Sequence, residues 1–588
     1  MIPAWLEKRH KFLWDAFHDS PFHFEDAAKI LKEKMQDSEN QINVFLSELR
    51  KRGWLGVEPD KDDARKKIYK LISKEEIISE TLAISKNELT RADLDSLLKA
   101  AADLIRTRVD YTFILLLLFY KRISDKWETE FDKAYKDALA DGLTESEARL
   151  EAKNSIYHDF DISQDLLWEN IRKDPAYLPE NFSRAMKALS ELNPELKDVF
   201  ENVDFVQFTS NRENAEILRQ LVELFSARSL HHVAPDILGD AYEWILKYFA
   251  PQKAKEGEIY TPREVIRLLV EILDPKPGDS VYDPAYGSGG MLITAYQHVE
   301  NEYGKEALNR LFLFGQEVNY KTLALSKMNL YIHDIRNAQV AQGDSLLYPK
   351  FKDKEGLKKF NVVIANPPWN QDGYDEETLK KSEFWKERFE YGFTPRQSAD
   401  WAWIQHMLAS ADGKDGRVGV VIDNGCLFRG GKEKAIRSAV VSADRIEAVI
   451  LLPEKLFYNT GAPGAILILN KNKPADRKEK VLFINASQEY QQHPDVRKLN
   501  QLADSNIDKI VKAYREFKEI DGFSRIVGYD ELKDNDFNLN VTLYVFPEEE
   551  VENIDVLKEW VELRHLEKEI LETEAKIENY LKEIYQEE

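Results

Sequence analysis

Asn366-Pro367-Pro368-Trp369 is the stretch of the chain whose residue types most clearly suggest chemistry. It follows an apolar run, Val362 to Ala365, with the composition of a buried strand. A proline has no N–H for the strand ladder, so the strand should end at Asn366 and leave a stiff ledge behind it. Ligands bind at this carboxyl edge in open α/β sheets, although an ordinary strand-ending turn would also use these residues. Trp369 favours a functional site, because a large aromatic ring is costly to expose without a use.

A glycine-rich turn forms a second candidate site. The strand-like stretch DSVYDP runs into AYGSGGMLITAYQHV, where the residues of interest are Asp283, Pro284, Gly287, Ser288, Gly289 and Gly290. Glycines let the backbone approach a ligand closely, and dinucleotide binding is the usual first interpretation of such a turn. The glycine spacing departs from that motif, and Asp283 would repel a pyrophosphate. A cationic ligand such as S-adenosylmethionine, with its sulfonium and α-amino groups, suits the acid better.

Further polar residues stand at other predicted strand and helix ends. Glu317 ends the next strand, where it can accept hydrogen bonds from ribose hydroxyls, and Asp344 ends another, where we expect an adenine amino group. Upstream, we expect Thr261 to be a helix N-cap with Pro262 at the first helical position. The same segment supplies the remaining predicted cofactor-binding residues, Glu258, Ile259, Tyr260 and Arg263. Each acid alone could be a surface carboxylate or a cap, but the ordered series is hard to obtain by chance.

The apolar pattern places these residues in an α/β fold. Short strand-like runs alternate with helical stretches after about residue 235, which predicts βαβ units and a mostly parallel sheet. The fold class is therefore a Rossmann-like core with a helical N-terminal domain and a C-terminal helical tail. We place a winged-helix-like module at 1–75, a helical domain at 80–235, the catalytic domain at 236–475 and a C-terminal region at 476–588.

Two interpretations of the N-terminal module remain open. Its basic flank could contact phosphates, or it could be the solvated face of a protein-binding winged helix. The flank consists of Arg50, Lys51, Arg52, Arg65, Lys66 and Lys67.

Composition limits the remaining possibilities. The chain has 588 residues, a net charge of −23 and one cysteine, Cys426, so it can form neither an intrachain disulfide nor a cysteine-based zinc site. We assign it no metal ligands. The start lacks a signal peptide, and the most apolar run, YTFILLLLFYKR, is too short for a bilayer and should be a buried helix. A cytoplasmic location with no membrane contact is therefore expected. Unaided DNA affinity should be low at this charge.

In order, IYTPR, DPAYGSGGML, GQEVN, GDSL and NPPW resemble the motifs of amino-group DNA methyltransferases. More closely, the chain resembles the methylation subunit of type I restriction–modification systems. That likeness extends through SADWAWIQHMLAS, GRVGVVIDNGCLFRGG, LLPEKLFYNTGAPGAILILNK and DNDFNLNVTLYV, and covers roughly residues 90 to 550. Tyr286 is one departure, because the family usually has a small residue or cysteine there. With the neighbouring glycines intact, we expect cofactor binding to survive.

The resemblance implies methylation of the exocyclic amine of adenine in double-stranded DNA, with S-adenosylmethionine as cofactor. The Asn366 side-chain oxygen and the Pro367 carbonyl would accept hydrogen bonds from the amine, Pro368 would stiffen the ledge, and Trp369 would stack on a flipped-out base. Partners would be a specificity subunit and a restriction/translocase subunit, with two copies of this chain per complex. Cytosine amino methylation, protein-glutamine methylation and an inactive assembly scaffold are the alternatives.

Two segments outside the motifs carry expectations of their own. Residues 370–400 have the charge, aromatics and glycines of a mobile flap over the base, or of a passive surface insertion. In the C-terminal stretch, Val556, Leu563, Ile570, Ile577 and Ile584 recur every seventh residue, joined by Trp560, Leu566, Tyr580 and Leu581. A seam of that period favours packing along a partner helix, although the helix could also fold back on its own domain.

Overall fold

The computed structural model of the chain describes most of its residues and divides them into two compact units. Unit 1 comprises Met1–Tyr260, Tyr286–Ile293 and Leu313–Asp344, and unit 2 comprises Thr261–Ala285, Thr294–Phe312 and Ser345–Glu588. The predicted domain boundaries stay a prediction. The described residues are 4–18, 20–35, 37–38, 55–59, 67–71, 91–105, 111–200, 205–210, 212–227, 261–354, 356–457, 460–493, 496–547 and 556–585, with single residues between 41 and 49 and between 230 and 249.

The N-terminal part of unit 1 is a small α/β module. Helices α1 (Ala4–Phe17) and α2 (Phe24–Met35) accompany strands β1 (Phe22–His23), β2 (Leu55–Pro59) and β3 (Lys67–Leu71). The strands form an antiparallel sheet in the order β1, β3, β2. The side chains of the basic flank lie outside the described residues.

Helices build the next part of unit 1 around one apolar core. The long helix α4 (Thr112–Ala140) carries the run Ile114 to Tyr120, which is buried on all sides, as the sequence predicted. The helices are α3 (Arg91–Ile105), α4 (Thr112–Ala140), α5 (Glu145–Glu151), α6 (Trp168–Ile171), α7 (Leu178–Leu192), α8 (Lys197–Phe200), α9 (Phe205–Phe208) and α10 (Arg212–Ser226).

Unit 1 also contains a parallel strand pair, β5 (Phe312–Glu317) and β6 (Gln339–Gln342), in which Glu317 is in register with Gln342. Helix α13 (Tyr320–Ile332) connects the two strands and begins at an Asn319 cap, whose side chain accepts from the Lys321 amide. A helix between parallel strands is the βαβ unit that the sequence predicted.

Unit 2 contains most of the remaining strands. They are β4 (Ser280–Asp283), β7 (Val362–Ala365), β8 (Arg417–Asp423), β9 (Ile446–Leu451), β10 (Gly464–Asn470), β11 (Lys480–Asn485) and β14 (Ser524–Gly528), and they lie in the order β14, β11, β9, β10, β8, β7, β4. A separate small hairpin pairs β12 (Gln491–Gln492) with β13 (Asn500–Gln501).

The strand directions are mixed. Strand β7 is parallel to both β4 and β8, whereas β10 is antiparallel to β8 and β9. Five of the seven strands, β4, β7, β8, β9 and β11, nevertheless run in the same direction, so the expected mostly parallel sheet is confirmed, with β10 and β14 antiparallel to their neighbours. The connection from β9 to β10, PEKLFYNTGAPG, carries no helical pattern, and an antiparallel return needs no crossover helix.

The helices after residue 260 complete the fold. They are α11 (Arg263–Leu273), α12 (Gly290–Tyr303), α14 (Glu376–Leu379), α15 (Trp385–Arg388), α16 (Asp400–Ser410), α17 (Gly431–Ser442), α18 (Asp504–Glu516), α19 (Tyr529–Asp534) and α20 (Val556–Tyr585). No helix in the described part of the chain combines the length and the hydropathy that a membrane-spanning segment needs.

Residues 370–400 are packed rather than loose. Leu379 and Phe389 are buried in an apolar cluster with Trp403 of α16. Arg388 is almost fully buried and donates to the carbonyl oxygens of Ser345, Leu346 and Glu383. A buried guanidinium satisfied by backbone oxygens anchors this part of the segment, and both expected roles of the segment, a flap over the base or a passive surface insertion, stay predictions.

Candidate active site

The ledge after β7 forms as the sequence predicted. The strand ends at Ala365, and Asn366 follows directly at its carboxyl end. All four strand residues are buried, while Asn366, Pro368 and Trp369 are partly exposed. Because β4 and β8 flank β7 in parallel, Asn366 stands in the row of strand ends where open α/β sheets bind ligands.

Two hydrogen bonds fix the orientation of the Asn366 amide. Its Nδ2 donates to Thr261 Oγ1 at 2.8 Å, and its Oδ1 accepts from Trp369 Nε1 at 3.0 Å. An indole N–H can only donate, so the amide must present its oxygen to Trp369 and its nitrogen to Thr261. A carbonyl oxygen has two lone pairs, so Asn366 Oδ1 can accept a second donor from a bound amine.

The expected role of Thr261 as a helix cap is wrong. Helix α11 begins at Arg263, one residue later than expected, and Pro262 occupies the N-cap position with an extended backbone (φ −58°, ψ 140°) and no side-chain cap. Because Pro262 has this extended backbone instead of a helical one, Thr261 lies one residue too far from the helix to be its N-cap. Its hydroxyl contacts the Asn366 amide instead.

The Trp369 indole is held by residues that sequence reasoning did not single out. The Phe457 ring meets it nearly edge-on, with centroids 4.8 Å apart and an interplanar angle of 68°. A Cβ at Gly464 would lie 2.8 Å from Phe457 and 3.0 Å from Trp369, so only glycine leaves room for both rings. Phe457 and Gly464 both lie in the stretch LFYNTGAPG, but the sequence does not show that this stretch contacts Trp369, because the two segments are distant along the chain.

The glycine-rich turn of unit 1 is built around the Glu317 carboxylate. Gly287 and Gly289 have positive φ angles of 54° and 87°, a conformation that favours glycine. The Gly287 N–H donates to Glu317 Oε2, and the Asn319 N–H donates to Oε1, each at 2.8 Å. The carboxylate at the end of β5 is thereby anchored beside the turn. In the same turn, the Ser288 carbonyl accepts from Asn329 Nδ2 at 3.0 Å, a contact that the sequence did not reveal.

Tyr286 fits the turn because two glycines make room for its ring. The side chain is 2% exposed. A Cβ at Gly315 would lie 2.7 Å from the Tyr286 ring, and one at Gly289 would lie 2.7 Å from its hydroxyl. The ring therefore points into unit 1, and the turn keeps its glycine backbone despite the bulky residue.

The other predicted residues occupy varied environments. Asp283 ends β4, is 1% exposed and accepts from the Ala285 N–H at 3.0 Å, while the buried Pro284 accepts from Ser345 Oγ at 2.6 Å. Asp344 follows β6 and is partly exposed, next to Gly343, whose N–H donates to the Glu317 carbonyl at 2.9 Å. Gly290 begins α12 and Arg263 is exposed at the start of α11. Glu258, Ile259 and Tyr260 lie outside the described residues.

Comparison with known proteins identifies relatives of this chain. Residues 233–553 match the family described as N-6 DNA Methylase, and residues 94–225 match the HsdM N-terminal domain. The type I restriction enzyme MjaVIII methylase subunit of Methanocaldococcus jannaschii is 45% identical, covering 98% of this chain and 97% of its own. The MjaVII methylase subunit of the same organism is 43% identical, covering 99% and 98%.

A solved structure shows the same fold. The methyltransferase subunit of a type I restriction–modification system from Streptococcus thermophilus superposes with a TM-score of 0.68 at 26% identity, over 78% of this chain and 100% of that one. The sequence identity to these methylase subunits extends over nearly the whole chain, and the fold is shared with a solved member. This chain belongs to the methylase subunits of type I restriction enzymes, a family of adenine-specific DNA methyltransferases.

Proposed function

We propose that this chain transfers a methyl group from S-adenosylmethionine to the exocyclic amine of adenine in DNA, as the modification subunit of a type I complex. The observation that carries the proposal is the Asn366 amide, whose oxygen is held at the carboxyl end of β7 by Trp369 and whose nitrogen is held by Thr261. Because two hydrogen bonds orient this amide, its oxygen is preorganised to accept from a donor such as an amino group.

The chain's own groups can activate that amine. Its lone pair is delocalised into the base, which makes it a poor nucleophile. Asn366 Oδ1 and the Pro367 carbonyl would each accept a hydrogen bond from one of its N–H groups and draw the nitrogen towards tetrahedral geometry. The rigid rings of Pro367 and Pro368 fix the direction of that carbonyl, so little reorganisation is needed. No strong base is required first, because the proton can leave after transfer.

The chemistry of the cofactor residues fits a cationic, ribose-bearing group. The Glu317 carboxylate is fixed by two backbone amides, and a carboxylate can accept about four hydrogen bonds, which is compatible with hydroxyl donors. Gly287 and Gly289 expose backbone rather than side chain at the turn. When bound, S-adenosylmethionine supplies a methyl group activated by its sulfonium. Within unit 1, we assign its binding to Glu317, Asp344 and the glycine turn, and the roles expected of Asp283 and of residues 258–263 stay predictions.

Replacing Glu317 should weaken cofactor binding. Glu317→Ala removes an ionised acceptor and the anchor of the Gly287 N–H, so we expect affinity to fall about 10- to 100-fold. Calorimetry with S-adenosylmethionine measures this. Glu191→Ala, which removes an exposed carboxylate of α7 in the same unit, is the control and should leave affinity unchanged. Wild-type affinity in Glu317→Ala would place the ribose elsewhere.

Removing the Thr261 hydroxyl should slow methyl transfer. Thr261→Val keeps the side-chain shape but leaves Asn366 Nδ2 without its acceptor, so the amide is less firmly oriented and kcat should fall about 5- to 10-fold. Thr261→Ser retains a hydroxyl and should restore most of the rate. A normal kcat with weakened cofactor affinity would instead assign Thr261 to the cofactor alone.

The reaction itself is tested with duplexes that separate the two candidate amines. Purified complex, tritiated S-adenosylmethionine and DNA containing the recognition site should yield N6-methyladenine on digestion. N4-methylcytosine as the product would show that cytosine is the target, and methylated glutamine in a protein with none in DNA would overturn the proposal.

The proposed partners follow from charge and from an exposed helix. A net charge of −23 opposes unaided DNA binding, so a specificity subunit should supply target affinity and selection. Helix α20 offers a docking element, since its described seam side chains, including Leu563, Ile570 and Ile577, are about half exposed. A restriction/translocase subunit and a second copy of this chain complete the proposed complex.

A further inference from the structure

Asn370, the residue directly after Trp369, has an unusual backbone. Its φ is +53°, in the left-handed region that non-glycine residues adopt infrequently. The chain leaves the NPPW ledge through this turn, so its conformation sets where the ledge ends. A conformation of this kind persists only where surrounding contacts hold it.

Two acids hold the turn. The Asn370 N–H donates to Asp400 Oδ1 at 2.9 Å, and Asn370 Nδ2 donates to Asp423 Oδ2 at 3.3 Å. Asp400 begins α16, and Asp423 ends β8, the strand next to β7. Rigid elements on both sides therefore fix one exposed residue.

Arg429 ties the two acids together. Its Nη2 lies 2.8 Å from Asp400 Oδ2 and 2.6 Å from Asp423 Oδ2, and its Nη1 donates to Ser398 Oγ at 3.0 Å and to Glu433 Oε1 at 3.1 Å. A planar guanidinium suits this task, because its fork of donors can hold several acceptors in a fixed arrangement. We call Asp400, Asp423, Arg429 and Glu433 the exit clamp.

The exit clamp is costly to build. The side chains of Asp400 and Glu433 are 3% and 4% exposed, and burial raises the pKa of the Asp400 carboxyl against the opposing effects of the Asn370 N–H and Arg429. Buried ion pairs are often no more stabilising than apolar packing of the same volume. Their benefit here is geometric, since Asp400 and Asp423 both accept hydrogen bonds from Asn370, and Arg429 bridges the two acids.

We infer that Asp400, Asp423 and Arg429 are positioning residues that fix the NPPW ledge for methyl transfer by holding Asn370. The inference rests on the proposed role of Asn366. Trp369 lies between Asn366 and Asn370 and donates to the Asn366 oxygen, so the position of Asn370 determines where that donor can sit. The ledge is thus held at its start by Thr261 and at its end by the exit clamp.

Asp400→Asn tests the clamp. Both Asp400 oxygens accept, one from Asn370 and one from Arg429, and an amide with a single oxygen must give up one contact. We expect kcat of the full complex to fall about 10- to 100-fold with little change in KM for S-adenosylmethionine.

Glu447→Gln is the matched control. Its side chain is also 3% exposed, and its oxygens accept from Arg477 and Asn470, neither of which belongs to the ledge or the clamp. Both variants should lose similar thermal stability, but Glu447→Gln should keep a wild-type kcat. Equal kcat in the two variants would show that the exit clamp only stabilises the fold, and it would overturn the inference.

Substitutions of Asn370 test the same point without touching a buried acid. Asn370→Gly and Asn370→Val both remove the bond to Asp423, but only glycine adopts a positive φ readily. The valine variant should lose substantially more kcat than the glycine variant. Equal rates in the two variants would contradict a role for the turn.

The outcomes separate the inference from the proposed function. Inactive Asn366→Ala together with wild-type kcat in Asp400→Asn and Asn370→Val would overturn the positioning role alone. Active Asn366→Ala would overturn the proposed chemistry, whatever the clamp variants do.

Discussion

Asn366→Ala should abolish methyl transfer by the assembled complex while leaving cofactor affinity nearly unchanged. The substitution removes the side-chain oxygen that would accept from the target amine and leaves only the Pro367 carbonyl. Removing one preorganised hydrogen-bonding group from an active site typically costs about 100- to 1000-fold in kcat. Tritiated-methyl transfer to site-containing DNA measures the loss, and calorimetry with S-adenosylmethionine checks the affinity.

Asn361→Ala is a matched control at the other end of the same strand. Asn361 directly precedes β7, and its Oδ1 accepts from the Ser280 N–H at 3.0 Å, so the side chain pairs strands and faces no ledge group. This variant should lose stability but retain kcat. Residual activity near wild type in Asn366→Ala would contradict the mechanism, because no other described side chain oxygen at the ledge replaces the lost acceptor.

The sequence predicted best where one residue type forces one backbone outcome. Two prolines after an apolar run must end a strand, and β7 ends at Ala365 as expected. The continuous apolar run YTFILLLLFYKR likewise predicted the buried helix α4 correctly. By contrast, Thr261 was expected to cap a helix because threonine often does, but Pro262 has an extended backbone and the helix begins at Arg263.

Contacts between distant segments could not be predicted from the sequence. The clamp bonds of Asn370 join residues 30 and 53 positions apart, and no local periodicity records such a pairing. The contact between Phe457 and Trp369 is hidden for the same reason. In residues 370–400, the burial of Leu379 and Phe389 was likewise not predicted, because these two residues are too widely spaced to form a helical pattern.

The second large effect concerns assembly. Leu563→Glu combined with Ile570→Glu should abolish co-purification of this chain with its specificity subunit while leaving cofactor binding intact. Both side chains lie on the seven-residue seam of α20 and are 48% and 56% exposed, so two charges there disturb little in this chain itself. In a helix–helix seam the same positions are buried against the partner, where unpaired charges are strongly disfavoured.

The described part of α20 favours a partner over the chain's own domain as the surface that covers this seam. Every residue from 563 to 577 is exposed, so this stretch buries no seam residue against the rest of its own unit. His565→Glu combined with Lys568→Glu is the matched control, because it adds at least as much negative charge at positions off the seam and should leave co-purification unchanged. Pull-down of the specificity subunit followed by site-specific methylation assays measures both outcomes. Retained assembly in the seam variant would place the docking surface elsewhere. An acidic chain without a target-reading partner should bind DNA too weakly to methylate a specific site. Site-specific methylation by the purified chain alone would therefore show that the chain selects its own target.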